Sequence, residues 1–290
     1  GRYMFGTPEC PVRLASTPTG LRGAPFETAY QQHSRQAGET FMARRFKRSP
    51  IGLDVVIGRY GMTGAKARQI EEQWHADLGD TETTCRFVVI SSESGYRWKD
   101  VRLQSELSPT DWGKPGQIGE SREQVALASD DAMWHHFPKV REFGVEDFGV
   151  ADILNDGDQP AWLTWTLAGK ADGWLIGVDG EVVQVPATKE NGYIRIHTDP
   201  EFPTATTHEG EDLYERTYRG VGLSVDSIMV WLTELLQGRQ ITQRDDLVFY
   251  KPLPAGGPKA KPVPLAITAI NPSPDCRVLV EWQPRSRAAW

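Results

Sequence analysis

The side chains that could do chemistry are scattered along this chain. Gly58-x-x-Gly61-x-x-Gly64 lies between an apolar alternating run and a helical pattern. A dinucleotide site needs strand, G-x-G-x-x-G and helix, because consecutive backbone N–H groups must approach a pyrophosphate. Here the first spacing is one residue too long, and Gly64 precedes Ala65 before Lys66, so no P-loop results either. These glycines read as turn residues. His135 and His136 are adjacent, which on a strand points them to opposite faces, and His75 and Asp77 do not share a helix face. His197 alternates with Ile194 and Ile196, on the polar side of a strand. Cys10, Cys85 and Cys276 are far apart and form no C-x-x-C. Glu209, Glu211, Asp212 and Glu215 cluster, and glycoside hydrolysis needs two carboxylates. Such a charge run reads first as solvated surface, and neither G-x-S-x-G nor H-E-x-x-H occurs. No catalytic, metal-ligating or cofactor-binding residue is expected. The concentrated positive patch is Arg44-Arg45-Phe46-Lys47-Arg48, read as an exposed strand face or as ion-pair partners for a neighbouring acidic subunit.

The elements that carry these residues suggest two domains in 290 residues. With 32 Lys+Arg against 39 Asp+Glu the net charge is -7, which excludes a dedicated nucleic-acid coat. No apolar run reaches the roughly 18 residues that span a bilayer, so no membrane insertion is expected. The 28 Gly and 20 Pro, beside 28 aromatic residues, favour short strands joined by tight turns. Residues 1–50 are weakly periodic and read as an extended arm with one or two strands. Residues 51–137 read as an α+β unit: a strand at Leu53–Ile57, a helix from Gly64 to Leu78 capped by Thr63 and stopped by Gly79, then strands at Cys85–Ser91, Tyr96–Leu107 and Glu123–Ala128. Residues 138–152 read as a linker.

Residues 153–290 read as a β-sandwich. Strands are expected at Ala161–Ala168, Trp174–Val178, Glu181–Val185, Tyr193–Thr198, Leu247–Lys251, Val263–Ala269 and Arg277–Gln283. Asp179-Gly180 between two apolar runs is a two-residue hairpin signal. One inserted helix is expected from Val225 to Gln237. The fold class expected is therefore mainly β (α+β).

Several of these segments, in order, resemble the distal tail proteins of siphophages, as found in phages of actinobacteria. Asn155-Asp156-Gly157-Asp158-Gln159-Pro160-Ala161-Trp162, continuing to Trp165, is similar to the segment that opens that family's galectin-like or jelly-roll C-terminal sandwich. Ile194-Arg195-Ile196-His197-Thr198-Asp199-Pro200 and the ending Trp282-Gln283-Pro284-Arg285 resemble two of its strand ends. Gly20-Leu21-Arg22-Gly23-Ala24-Pro25, Gly38-Glu39-Thr40 and the helix-bearing unit look like its ring-forming domain, and Asp131-Ala132-Met133-Trp134 looks like its interdomain link. The resemblance implies a non-enzymatic virion component at the distal end of the tail, usually a ring of six copies. Its partners would be other copies of itself, the tail tube protein and the hub or baseplate and receptor-binding proteins, with the tape measure protein or DNA passing through the lumen. An arm clasps the neighbouring copy in that family, which implies Tyr30, Phe41 and Phe46 as apolar contacts and Arg44, Arg45, Lys47 and Arg48 as inter-subunit ion pairs. The alternative is a tail module that binds host saccharide, with Trp162, Trp165 and Trp174 offered to sugar faces, although alternation buries some of them as core.

Overall fold

The computed structural model describes residues 3–32, 34, 37–109, 117–200, 203–209, 239–240, 247–257 and 260–290. The chain is mainly β, with the helix Gly64–Leu78 and several antiparallel sheets. It divides into two compact units, residues 1–135 with 286–290, and residues 136–285.

The first unit is built on an eight-stranded sheet. Its centre is the strand Ser49–Gly58, paired along its whole length with Glu120–Ser129. Leu53, Val55 and Ile57 point into the core while Asp54 and Val56 are half-buried, so the alternation in the sequence is the alternation of the pleat. Gly58 and Gly61 both have positive φ and turn the chain into the helix; a Cβ on Gly58 would lie 2.4 Å from Gly119 O. The helix starts at Thr63, which makes no side-chain capping bond, and ends at Gly79, whose N–H donates to His75 O.

One carboxylate fixes this helix against the sheet. Glu123 is nearly buried and accepts from Trp74 Nε1 at 3.3 Å, while His75 Nε2 lies 3.1 Å from its Oε1. Tyr3 and Phe5 pack edge-on against the Trp74 indole, and Tyr3 Oη donates to Asp77 at 2.7 Å. Burial and the Asp77 carboxylate both raise the Tyr3 phenol above its ordinary pKa. Residues 3–24 are thus part of the globular unit rather than arm. Cys10, Val12 and Leu21 join its core, and Val12–Leu14 pairs with Val55–Ile57. A three-residue strand shows too little of the two-residue period to be read from sequence. The chain end also returns here: Ala289 is buried and its N–H donates to Leu21 O.

The second unit is a β-sandwich. A six-stranded sheet containing Leu163–Ala168, Gly192–His197 and Arg277–Trp282 encloses the core together with a four-stranded sheet containing Gly173–Val178 and Val263–Ile270. Asp179 and Gly180 have positive φ, and Glu181 N donates to Val178 O, the two-residue hairpin expected there. Three segments differ from expectation. The linker region contains the strand Lys139–Gly144, which pairs with all of Arg277–Trp282. It is an edge strand with only Phe143 buried, so its charges masked it. Leu247–Lys251 forms no strand, because the N–H groups of Tyr250 and Lys251 go to the Glu181 carboxylate. Thr204–Glu209 is a strand that lacks apolar alternation and was not expected. The expected helix Val225–Gln237, with Glu211, Asp212 and Glu215, lies outside the described residues.

Lys99 is fully buried in the first unit, where Nζ donates to Ala132 O at 2.8 Å and Asp131 O at 3.3 Å. Burial pushes its ammonium from 10.5 down to about 8, opposed by the Asp131 carboxylate. Between those values the unfolded chain keeps a proton that the folded chain releases. Stability therefore rises with pH across that window, with a slope of up to about 1.4 kcal/mol per pH unit. Lys99→Met is expected to remove this rise, measured by urea titrations at pH about 7.5 and about 9.5. Glu123→Ala strands the Trp74 N–H and is expected to cost about 2–3 kcal/mol, measured as a lowered urea midpoint.

Candidate interaction site: an exposed arm

Between Pro25 and Lys47 the chain leaves the first unit as a two-stranded hairpin, Phe26–Gln31 against Thr40–Phe46. Lys47 N donates to Pro25 O and closes its base. Every residue of Phe26–Gln31 is exposed, as is all of Thr40–Phe46 except the half-buried Phe46. Phe26, Tyr30 and Phe41 are each 54% exposed and Met42 is 56% exposed, a set of large apolar side chains that a solvated loop would not carry.

The register decides which residues share a face. Phe26 lies opposite Phe46 and Thr28 opposite Arg44; a bulge after Ala29 then sets Tyr30 against Phe41. The extra residue on the second strand moves Phe41 to the side occupied by Arg44 and Phe46. One face thus carries two edge-on aromatic pairs, Phe26–Phe46 at 6.1 Å and Tyr30–Phe41 at 5.9 Å between centroids. The Arg44 guanidinium lies over the Phe46 ring at 4.6 Å and over Phe26 at 5.5 Å. Of the four basic residues expected as inter-subunit partners, Arg44 is thus stacked within the arm and Lys47 pairs with Glu27. Arg45 and Arg48 are exposed and have no ion-pair partner among the described residues.

The other sequence-marked residues lie in the second unit and hold its backbone together. Asn155 is buried; Nδ2 donates to Gln159 O at 2.9 Å and Pro254 O at 3.0 Å, and Oδ1 accepts from Gly157 N at 3.0 Å. Gly157 O accepts from Gly256 N and Gly257 N, and a Cβ on Gly157 would lie 2.5 Å from Arg285 O, which itself accepts from Gln159 N. Pro284 O accepts from His136 N. Asn155, Gly157, Pro284 and Arg285 therefore form one brace between four stretches of chain, whereas Pro160 and Pro200 are exposed and Asp158 accepts from Gln159. Beside Asp199, the residue that matters mechanically is Thr198: its hydroxyl donates to Leu163 O and accepts from Leu163 N. The signal in the sequence was its place immediately before Asp-Pro. Trp165 and Trp174 are fully buried and cannot stack on a sugar; Trp162 is half-buried. Among the described residues no three His, Cys, Asp or Glu side chains are arranged to hold a metal ion.

No family model and no curated protein matches the sequence. Solved structures do. The crystal structure of the SPP1 Dit protein (gp 19.1), described as a paradigm of the hub adsorption apparatus in phages infecting Gram-positive bacteria, superposes with a TM-score of 0.59 at 10% identity. The match covers 94% of this chain and 93% of that one. The chain has the SPP1 Dit fold. Two structures of the phage p2 baseplate in its activated conformation, with Ca and with Sr, match at TM-scores of 0.46 and 0.47 and 11% identity, covering 94% of this chain and 91% of theirs.

Asn155→Ala would leave a buried N–H and two carbonyls without a partner. It is expected to lower the stability of the chain by about 2–3 kcal/mol, measured by urea unfolding, and to leave the exposed arm unaffected.

Proposed function

We propose that this protein is a structural component of a phage tail tip, of the distal tail type, and that it acts as a ring of identical copies rather than as an enzyme. The observation that carries this reading is the arm. A two-stranded hairpin with both open edges and an aromatic face in water is marginal alone. Its composition makes sense when a second surface covers it. The Dit-like fold across nearly the whole chain supports the same reading. Contact between an arm and a different surface of the next copy is heterologous, and such contacts close into rings when the rotation permits. The ring contains six copies and stands at the distal end of the tail, where it joins the tail tube to the hub and receptor-binding proteins and leaves a lumen for the tape measure protein or DNA.

Association follows from arm burial, so loss of the arm should leave a folded monomer. Replacing residues 26–46 with a short turn between Pro25 and Lys47 keeps the closed base. The full chain is expected to form a closed oligomer by light scattering and cryo-electron microscopy. The arm-less variant is expected to be monomeric with an unchanged urea midpoint. A full-length protein that stays monomeric at high concentration would overturn the reading.

A further inference from the structure

We infer that the surface receiving the arm is the outer face and open edge of the strand Cys85–Ser91 on the neighbouring copy; this rests on the ring-forming reading above. That strand pairs with Gly95–Leu103 on one side only, so its other backbone edge is free among the described strands. Its pattern alternates between half-buried and exposed residues, and the exposed set includes Val88 at 43% and Ile90 at 55%. The register places Ile90 beside Tyr96, which is 49% exposed, and Val88 beside Trp98. Trp98 is held flat: the Arg86 guanidinium lies 3.9 Å from its ring centroid and the His135 ring stacks at 4.6 Å. The result is a firm apolar platform beside a seven-residue edge strand with one charge, Arg86, and no proline. Soluble monomers avoid such an edge, because it invites pairing with another chain.

The second copy's arm is the occupant that fits. Both surfaces are apolar β faces, and both belong to the first unit. Charge pairing is local to the arm base: residues 25–48 carry 5 Lys+Arg against 2 Asp+Glu. Arg45 and Arg48 at the arm base lack partners among the described residues, and the exposed Glu93 closes the hairpin that follows Ser91. The arm and platform are different patches, as a heterologous ring contact requires.

Two experiments test this on the full-length chain. Val88→p-benzoylphenylalanine in unlabelled protein, mixed with isotope-labelled protein and irradiated, should give a mixed adduct mapping within residues 26–46. Val88→Asp and Ile90→Asp should each raise the apparent dissociation constant of the oligomer at least tenfold, as Phe41→Asp does, with the urea midpoint unchanged. Adducts that map elsewhere, or an oligomer insensitive to both substitutions yet lost on Phe41→Asp, would overturn this inference and leave the ring reading intact. A monomeric parent protein would overturn both.

Discussion

The chain crosses between its two units twice, and the first unit is complete only after the second crossing. The strand Arg277–Trp282 lies between two others in the six-stranded sheet of the sandwich, and seven residues later Ala289 enters the core of the first unit. Arg97 donates to Ala288 O, and Ala289 N to Leu21 O, so the last residues close a unit begun almost three hundred positions earlier. Such non-local closure is entropically slow to form. It explains where the buried polar bonds concentrate. Asn155, Gly157 and Gln159 fix the backbone at Arg285, and His136 is bonded to Pro284, at the two points where the chain changes units. The segment that resembles a family signature is thus a mechanical part, and its residue types follow from the close backbone approach at Arg285.

The same division changes what the acidity means. The first unit carries 18 Lys+Arg against 17 Asp+Glu, and the second 14 against 22, which together make the net charge of -7. The negative charge therefore belongs to the sandwich, while the arm-bearing unit is almost neutral overall. A near-neutral unit with a basic arm does not repel its own copies as a strongly acidic one would. Net charge gives no reason to expect a strongly negative lumen if the first unit forms the ring.

What was legible in the sequence follows from period and punctuation. The helix Gly64–Leu78 has a regular apolar stripe at Ala67, Ile70, Trp74 and Leu78 and a terminal glycine; Asp179-Gly180 has a unique turn chemistry. Elements whose order comes from a partner were not legible. Val12–Leu14 is short, Lys139–Gly144 is an edge with charges outward, and Thr204–Glu209 has Thr and His where a core strand has Val and Ile. The arm was legible as unusual but not as a hairpin with a defined face. A bulge sets that face, and a bulge leaves no mark in a two-residue period. The platform at Val88 and Ile90 leaves no mark in the sequence, where Cys85–Ser91 has the pattern of any half-buried strand.

An aromatic arm must stay soluble before it finds a neighbour, and the placement of Arg44 addresses that constraint. Its guanidinium covers Phe46 and Phe26 in the free chain, shielding apolar area with a group that water still solvates. Tyr30 and Phe41, farther from the base, have no such cation cover among the described residues, and both are open to contact. The arm is thus graded, with a basic base whose rings are covered and, beyond it, a second aromatic pair that is open. A graded arm separates two tasks: the base charges steer approach, and the distal rings supply the desolvation that holds the contact. Arg44 need not leave its rings on docking, because a stacked guanidinium keeps its N–H donors directed outward for a partner.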